Sequence, residues 1–200
     1  METDRLETFA DGVFAIAATL LIIDVSVKAH GGHLGGALEH AWPQYAAYGV
    51  SFVTIGIMWL NHHLCMQLID RVDRTFMVSN LALLMCIAFV PFPTSLIAEH
   101  LRDPGLRAAA IMYGSTLTAT AVCFAGFWFY AATGRRLISH DADQKTISGI
   151  SRSYLPGAPI YGTATLSALW SPDLAVALFA AIAFFYLLES SFFGRTEPVA

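Results

Sequence analysis

The segment from Arg5 to Ile23 sets an arginine and an aspartate, Arg5 and Asp11, at the very start of a long apolar helix. Hydrocarbon penalises a charge that lacks a partner or a water-filled cavity, so an ionisable residue at the mouth of a membrane span marks a functional position by default. A chain built this way must fold so that its first helix faces something polar.

The rest of the sequence agrees that the solvent is lipid. Of 200 residues, 56% are hydrophobic and only 13% are charged, where a soluble domain carries about a quarter charged residues; the mean hydropathy is +0.58. A span needs roughly 20 apolar residues, and about six such stretches consume the chain, which predicts an all-α integral membrane protein with residues 1–200 as a single domain. The formal net charge of −4 comes with no clustered basic surface, which argues against nucleic acid as a partner. Cys65, Cys86 and Cys123 are odd in number and widely separated in apolar surroundings, so they read as buried thiols rather than as a disulfide or zinc framework. The acidic start Met1-Glu2-Thr3-Asp4 is unlike a signal peptide, and the first helix is expected to stay in the protein.

The expected spans are 6–27, 42–68, 76–98, 106–133, 147–170 and 174–193. A glycine-rich stretch from His30 to Gly36 ends the first, and Pro91 and Pro93 sit near the far end of the third, where neighbouring helices can re-satisfy the freed carbonyls. The polar segment 135–145 is the main solvent-facing connector. The fifth span is helix-poor, with Arg152, Pro156, Gly157, Pro159 and Gly162, and is expected to be kinked or packed inside the protein. With the N terminus inside, Arg5, Arg71, Arg74, Arg135, Arg136, Lys145, Arg152 and Arg195 fall on the cytoplasmic side, against Lys28, Arg102 and Arg107 outside. That bias predicts six crossings with both termini cytoplasmic.

Near the cytoplasmic end of the second span, Trp59, His62 and His63 lie at the same depth as Arg5 and Asp11. An indole N–H, an imidazole or a guanidinium could stabilise a buried Asp11, forming a network that locks helices together or one that touches a permeating ion or substrate. Adjacent histidines point about 100° apart on a helix, which does not suit the i, i+4 ligand spacing of zinc sites. P-loop, GxSxG, HExxH and dinucleotide fingerprints are missing from the sequence, so enzyme chemistry has no support. Ile16, Thr19, Leu20 and Ile23 share one face of the first helix, a stripe that taken alone reads as packing; Gly12, Ala15, Ala17 and Ala18 would allow close helix approach.

With Arg5, Phe9, Ala10, Asp11 and Gly12 on the first helix, Trp59, His62 and His63 on the second, and Asn80 with Pro91-Phe92-Pro93-Thr94 on the third, the chain resembles the prokaryotic members of the transmembrane protein 175 potassium channel family. The resemblance is strong over the first half and rests on hydropathy and span count over the second. It implies a homotetramer of six-helix subunits whose first helices line a central pore, passing potassium ions transiently without a cofactor or a structural metal. The hallmark of the family is Arg-x-x-x-Phe-Ser-Asp, with Ala10 here in place of the serine. By the same resemblance Trp59, His62 and His63 are partners of Arg5, Phe9 and Asp11, Ile16 is the narrowest ring of the pore, and Thr19, Leu20 and Ile23 continue its wall. The partners implied are potassium ions, the lipid bilayer of a bacterial inner membrane, and further copies of the chain. A secondary transporter using the broken fifth span and a non-conducting membrane scaffold remain as alternatives. His30, His33 and His40 read as exposed loop residues, and no span carries the repeated arginines of a voltage sensor.

Overall fold

Apolar runs bounded by glycine and proline give helices. The computed structural model describes residues 3–23, 25–26 and 34–193. Among these, the helices are α1 (Thr3–Leu20), α2 (Leu34–His40), α3 (Trp42–Gln67), α4 (Arg74–Phe89), α5 (Pro91–His100), α6 (Leu106–Ala132), α7 (Gln144–Tyr154), α8 (Gly157–Ser167) and α9 (Pro172–Phe193). Lys28, His30, His33, Arg195 and the expected end of the first span at residue 27 lie outside the described residues.

The third and fourth expected spans appear as long continuous helices. Arg74–His100 (27 residues) and Leu106–Arg135 (30 residues) are each long and apolar enough to cross a bilayer, judged by length and composition. Helices α4 and α5 form one rod because Val90 keeps helical torsions, φ −53° and ψ −40°. Pro91 has no N–H for the carbonyl of Ile87, and Val90 N–H takes that carbonyl instead at 3.1 Å. With 26 residues, α3 is about 39 Å long at 1.5 Å per residue, although its Asn61-His62-His63 segment interrupts the apolar run.

Two expectations are corrected, and a third, the kinked fifth span, takes the form of a full break. The first helix stops at Leu20, and Leu21 to Ile23 form a turn rather than a helix continuing to residue 27. The fifth expected span is two 11-residue helices, α7 and α8, broken at Leu155-Pro156. A proline is accepted at a helix start and not in its middle, so Pro156 and Pro159 open α8 rather than sit in one long rod; at 1.5 Å per residue α8 spans only about 16 Å, half of the hydrocarbon core. The other correction concerns the 135–145 connector, which is clasped and partly buried rather than solvent-facing throughout. Asp70 N–H donates to the Leu137 carbonyl at 3.1 Å and Ser139 N–H to the Leu68 carbonyl at 2.9 Å, and Leu137 and Ile138 are buried. The turn needs left-handed backbone at Gly134 (φ 63°) and Arg135 (φ 52°). Glycine takes that region freely; Arg135 is held there by guanidinium bonds to the carbonyls of Ser139, His140 and Ala142.

Packing is centred on α6, which contacts α4, α5, α8 and α9, while α1 lies on α3 and α4. At Gly114 a Cβ would collide with Thr165 and Phe179, so glycine there sets how closely α8 and α9 approach α6. All three cysteines are free thiols, yet α4 and α6 bring Cys86 and Cys123 to 3.8 Å between sulfurs, an adjacency that their separation in sequence hides. Many large apolar side chains stay exposed on the outside, Val78, Leu81, Met85, Phe184 and Phe185 among them, the reverse of a soluble surface and suited to lipid or to further copies of the chain.

The turn before α4 is anchored by Asp73, whose carboxylate accepts the Phe76 N–H at 2.8 Å as an N-cap and the Tyr130 hydroxyl at 2.7 Å. The Phe76 N–H first, and then the Tyr130 hydroxyl, holds this carboxyl below its usual range. A carboxyl depressed on folding contributes stability above its unfolded pKa and loses it as pH falls through the folded value. Asp73→Ala is therefore expected to lower the Tm of the detergent-solubilised protein by a few degrees at neutral pH, with the gap to wild type closing in acid; a gap that stays constant across pH would rule out the charged cap.

Candidate site at the α1–α3–α4 junction

Helices α1 and α3 run antiparallel and meet through two rungs. Asp11 Oδ1 accepts the Trp59 indole N–H at 2.8 Å, and Glu7 Oε1 pairs with His63 Nδ1 at 2.7 Å. Glu7 and Asp11 are four apart on α1, and Trp59 and His63 are four apart on α3, so each pair shares a helix face one turn apart and the two ladders register. The Trp59 and His63 rings stack at 6.0 Å with 20° between planes. Gln67 Nε2 lies 3.0 Å from His63 Nε2, which fits a neutral imidazole donating from Nδ1 to the carboxylate and accepting from the amide at Nε2.

Beneath this part-exposed ladder lies a buried one. His62 and Asn80 are both 0% exposed, and His62 Nε2 meets Asn80 Oδ1 at 2.9 Å. The His62 ring is held between Phe14 of α1 and Phe127 of α6, each at 5.4 Å between centroids, and Phe127 packs on Phe76 at 4.6 Å. One α3 side chain thus contacts α1, α4 and α6. Its satisfaction is incomplete, since His62 Nδ1 and Asn80 Nδ2 have no protein partner.

Of the residues expected in the polar network, Asp11, Trp59 and His63 are joined in the ladder and His62 forms the buried tier beside it. Arg5 and Phe9 are both exposed and make none of these bonds. Glu7 and Gln67 were not singled out from the sequence, although the i, i+4 spacing of Glu7 with Asp11 and of His63 with Gln67 carries the signal. Ala10 is fully buried, so its methyl group faces packed side chains.

Helix α1 is two-faced. Ala10, Phe14 and Ala17 are buried against the subunit, as is Leu21 in the turn that follows, whereas Ile16 is 61% exposed and Leu20 41%; Thr19 is exposed beside them, and Ile23, in the same turn, is 71% exposed. At about 100° per residue the exposed stripe lies roughly opposite Glu7. The ladder therefore fastens one side of α1 and leaves the apolar side without a partner in the subunit. Among the described residues no group of three His, Cys, Asp or Glu side chains is placed to hold a metal ion.

Asn80→Ala is expected to leave His62 Nε2 buried and unpaired and to cost about 1–3 kcal/mol of stability. The apolar pair His62→Phe with Asn80→Leu should recover most of that loss, because removing both polar partners also removes the desolvation penalty. Denaturation in mixed micelles measures both, and a double variant no better than Asn80→Ala would mean that the imidazole itself is required.

The sequence profile for the endosomal/lysosomal potassium channel TMEM175 matches residues 5–91, which contain both ladders and the exposed α1 stripe. A protein of Chamaesiphon minutus named as a potassium channel is 39% identical over 194 residues, covering 95% of this chain and 96% of that one. A protein of Streptomyces collinus, also named as a potassium channel, is 41% identical over 188 residues, covering 92% and 91%. Among solved structures, the crystal structure of a lysosomal potassium-selective channel TMEM175 homolog from Chamaesiphon minutus superposes with a TM-score of 0.85 at 38% identity, covering 94% of this chain and 97% of that one. Near-complete coverage in both directions, together with this fold and this site, establishes that the chain is a membrane protein belonging to the TMEM175 family.

Proposed function

We propose that the chain is the subunit of a potassium channel in which four copies surround a pore lined by α1. The observation that carries this reading is the unpartnered apolar face of α1, with Ile16, Thr19 and Leu20 exposed on the side away from the ladder and Ile23 exposed in the turn that follows. Full-length relatives named as potassium channels support the ion and the activity; assembly in fours follows from the family resemblance.

In this reading, each copy contributes one residue to a ring at each level. Ile16 forms the narrowest ring, and Thr19 adds a hydroxyl on the wall beyond it, its Oγ1 donating to the Ile16 carbonyl at 2.9 Å. An apolar ring gates by dewetting, and potassium gives up its hydration shell more readily than sodium, so such a ring favours potassium without a backbone-carbonyl filter. The Asp11–Trp59 and Glu7–His63 rungs hold α1 at a fixed angle to α3, and through it the width of the ring. Conduction is passive, with no catalytic residue and no cofactor. Six crossings with both termini in the cytoplasm fit the distribution of basic residues, with α7 and α8 together making the fifth.

The test is flux through purified protein in liposomes under potassium and sodium gradients. Wild type is expected to pass potassium rapidly and in preference to sodium, and Ile16→Asn, which wets the constriction, to raise conductance and weaken that preference. Unchanged currents in Ile16→Asn would put the pore elsewhere, and slow saturable flux coupled to a second ion would identify a transporter. Asp11→Ala removes a charge-assisted bond that contributes about 1 kcal/mol after allowance for partial exposure, and is expected to reduce the tetrameric fraction on size exclusion; a fully assembled variant would deny that carboxylate a structural role.

A further inference from the structure

At the end of the subunit away from the ladder, four helix termini meet: the start of α3, the end of α5, the start of α6 and the start of α9. Between them lies a cavity of about 250 Å³, lined by Trp42, Val50, Ile97, Val176, Ala177 and Phe179. The hydroxyl groups at its floor are used up. Thr94 donates to the Val90 carbonyl at 2.9 Å, so Ser51, at 2.8 Å, donates to Thr94, and Tyr113, at 3.1 Å, donates to Ser51. No free hydroxyl donor is left at the floor, and apart from Asp173 at the mouth the rest of the lining is mainly apolar, which suits hydrocarbon.

A second, open cavity of about 640 Å³ adjoins it through Leu101 and Asp173, which line both, and carries Arg102 and Arg107. Neither arginine forms an ion pair with a carboxylate among the described residues. Arg102 lies over the Trp42 ring, 5.4 Å from its centroid, and its Nη1 approaches His40 Nε2 at 3.4 Å. The nearby Asp103, which also lines this cavity, is turned into its own loop, facing His100 Nδ1 at 3.0 Å and accepting the Gly105 N–H at 2.7 Å, which holds its carboxyl below the usual range. Asp173 faces the same opening, so the two guanidinium groups share the cavity with two carboxylates, of which Asp103 is engaged by its own loop. The termini of the spans set this cluster at the level of the lipid headgroups, where a tryptophan at the mouth is also expected.

We propose that this pair of cavities is a binding site for one glycerophospholipid per subunit, its phosphate between Arg102 and Arg107 and one acyl chain in the apolar cavity. An apolar slot beneath two unpaired guanidinium groups matches the order of chain and phosphate in a lipid entering from the adjacent leaflet. Guanidinium binds phosphate oxygens bidentately, and the slot seats part of one acyl chain, fixing the orientation of the lipid. The site needs only that the chain spans a bilayer, so failure of the pore reading leaves it standing, and potassium flux from the same preparation tells the two failures apart.

Native mass spectrometry of the delipidated full chain in detergent tests it, with phosphatidylglycerol, the diacylglycerol of the same chains, and glycerol phosphate as probes. Phosphatidylglycerol should remain bound at one per subunit. Arg102→Gln with Arg107→Gln should weaken it about thirtyfold, roughly fivefold for each basic residue near the membrane surface. Ala177→Phe, which fills the slot, should abolish retention, and the milder Ala47→Leu, at a lining position on α3, should reduce it while leaving the fold intact by circular dichroism. Retention that ignores the arginine pair, diacylglycerol binding as tightly as the phospholipid, or glycerol phosphate doing so would each overturn the proposal.

Discussion

The subunit depends on one buried side chain. His62 is the point at which α3 touches α1, α4 and α6 at once, through Phe14, Asn80 and Phe127. In lipid, apolar surfaces gain little from meeting one another, because the solvent is as apolar as they are. A buried polar contact and ring stacking therefore carry more of the specificity than an equal area of leucine. The open valences on His62 Nδ1 and Asn80 Nδ2 lie in the same spot, so the group that fixes the helix arrangement is also the one whose hydrogen bonding is least complete.

Around that point the helices divide their labour by face. Small residues, Ala10 and Ala17, bring α1 close to the subunit, and the acidic pair Glu7 and Asp11 meets Trp59 and His63 on α3. The periodicity of α1 then leaves isoleucine and leucine facing away. A helix anchored on one side by short, directional bonds can leave its opposite side unpacked, as the proposed pore wall requires of each copy. The same division explains why the stripe from Ile16 to Ile23 reads as packing when the sequence is taken alone: hydrophobicity reports that a face avoids water, and not which neighbour covers it.

Much of the fold was legible because span length is a strong constraint. The long apolar runs gave the α4–α5 rod, α6 and α9 close to their observed limits, and charge at a costly depth called for a partner to Asp11 without choosing between the indole, an imidazole and a guanidinium. The parts that were not legible depend on local competition. Pro156 ends one helix and opens another, an outcome that composition averaged over residues 147–170 cannot separate from a kink. The end of α1 at Leu20 has no proline or glycine to announce it. The clasp between Leu68–Asp70 and Leu137–Ser139 is made by backbone groups, so no side-chain pattern records it. Glu7 escaped notice because a glutamate in the first turns of a helix has an ordinary explanation in the helix dipole, and only the position of His63 gives it a second one.

That clasp bears on motion. The isolated bridge between Ile69 and Ile138, with its flanking backbone bonds, ties the turn after α3 to the loop after α6, and Arg135 stiffens the loop by bonding three of its carbonyls. The chain itself joins the same helices at the opposite end, through residues 101–105 between α5 and α6, where the hydroxyl groups of Ser51, Thr94 and Tyr113 link α3, α5 and α6. Helices fastened at both ends cannot splay like tongs, so relative displacement within this part of the subunit is confined to the middle of the helices.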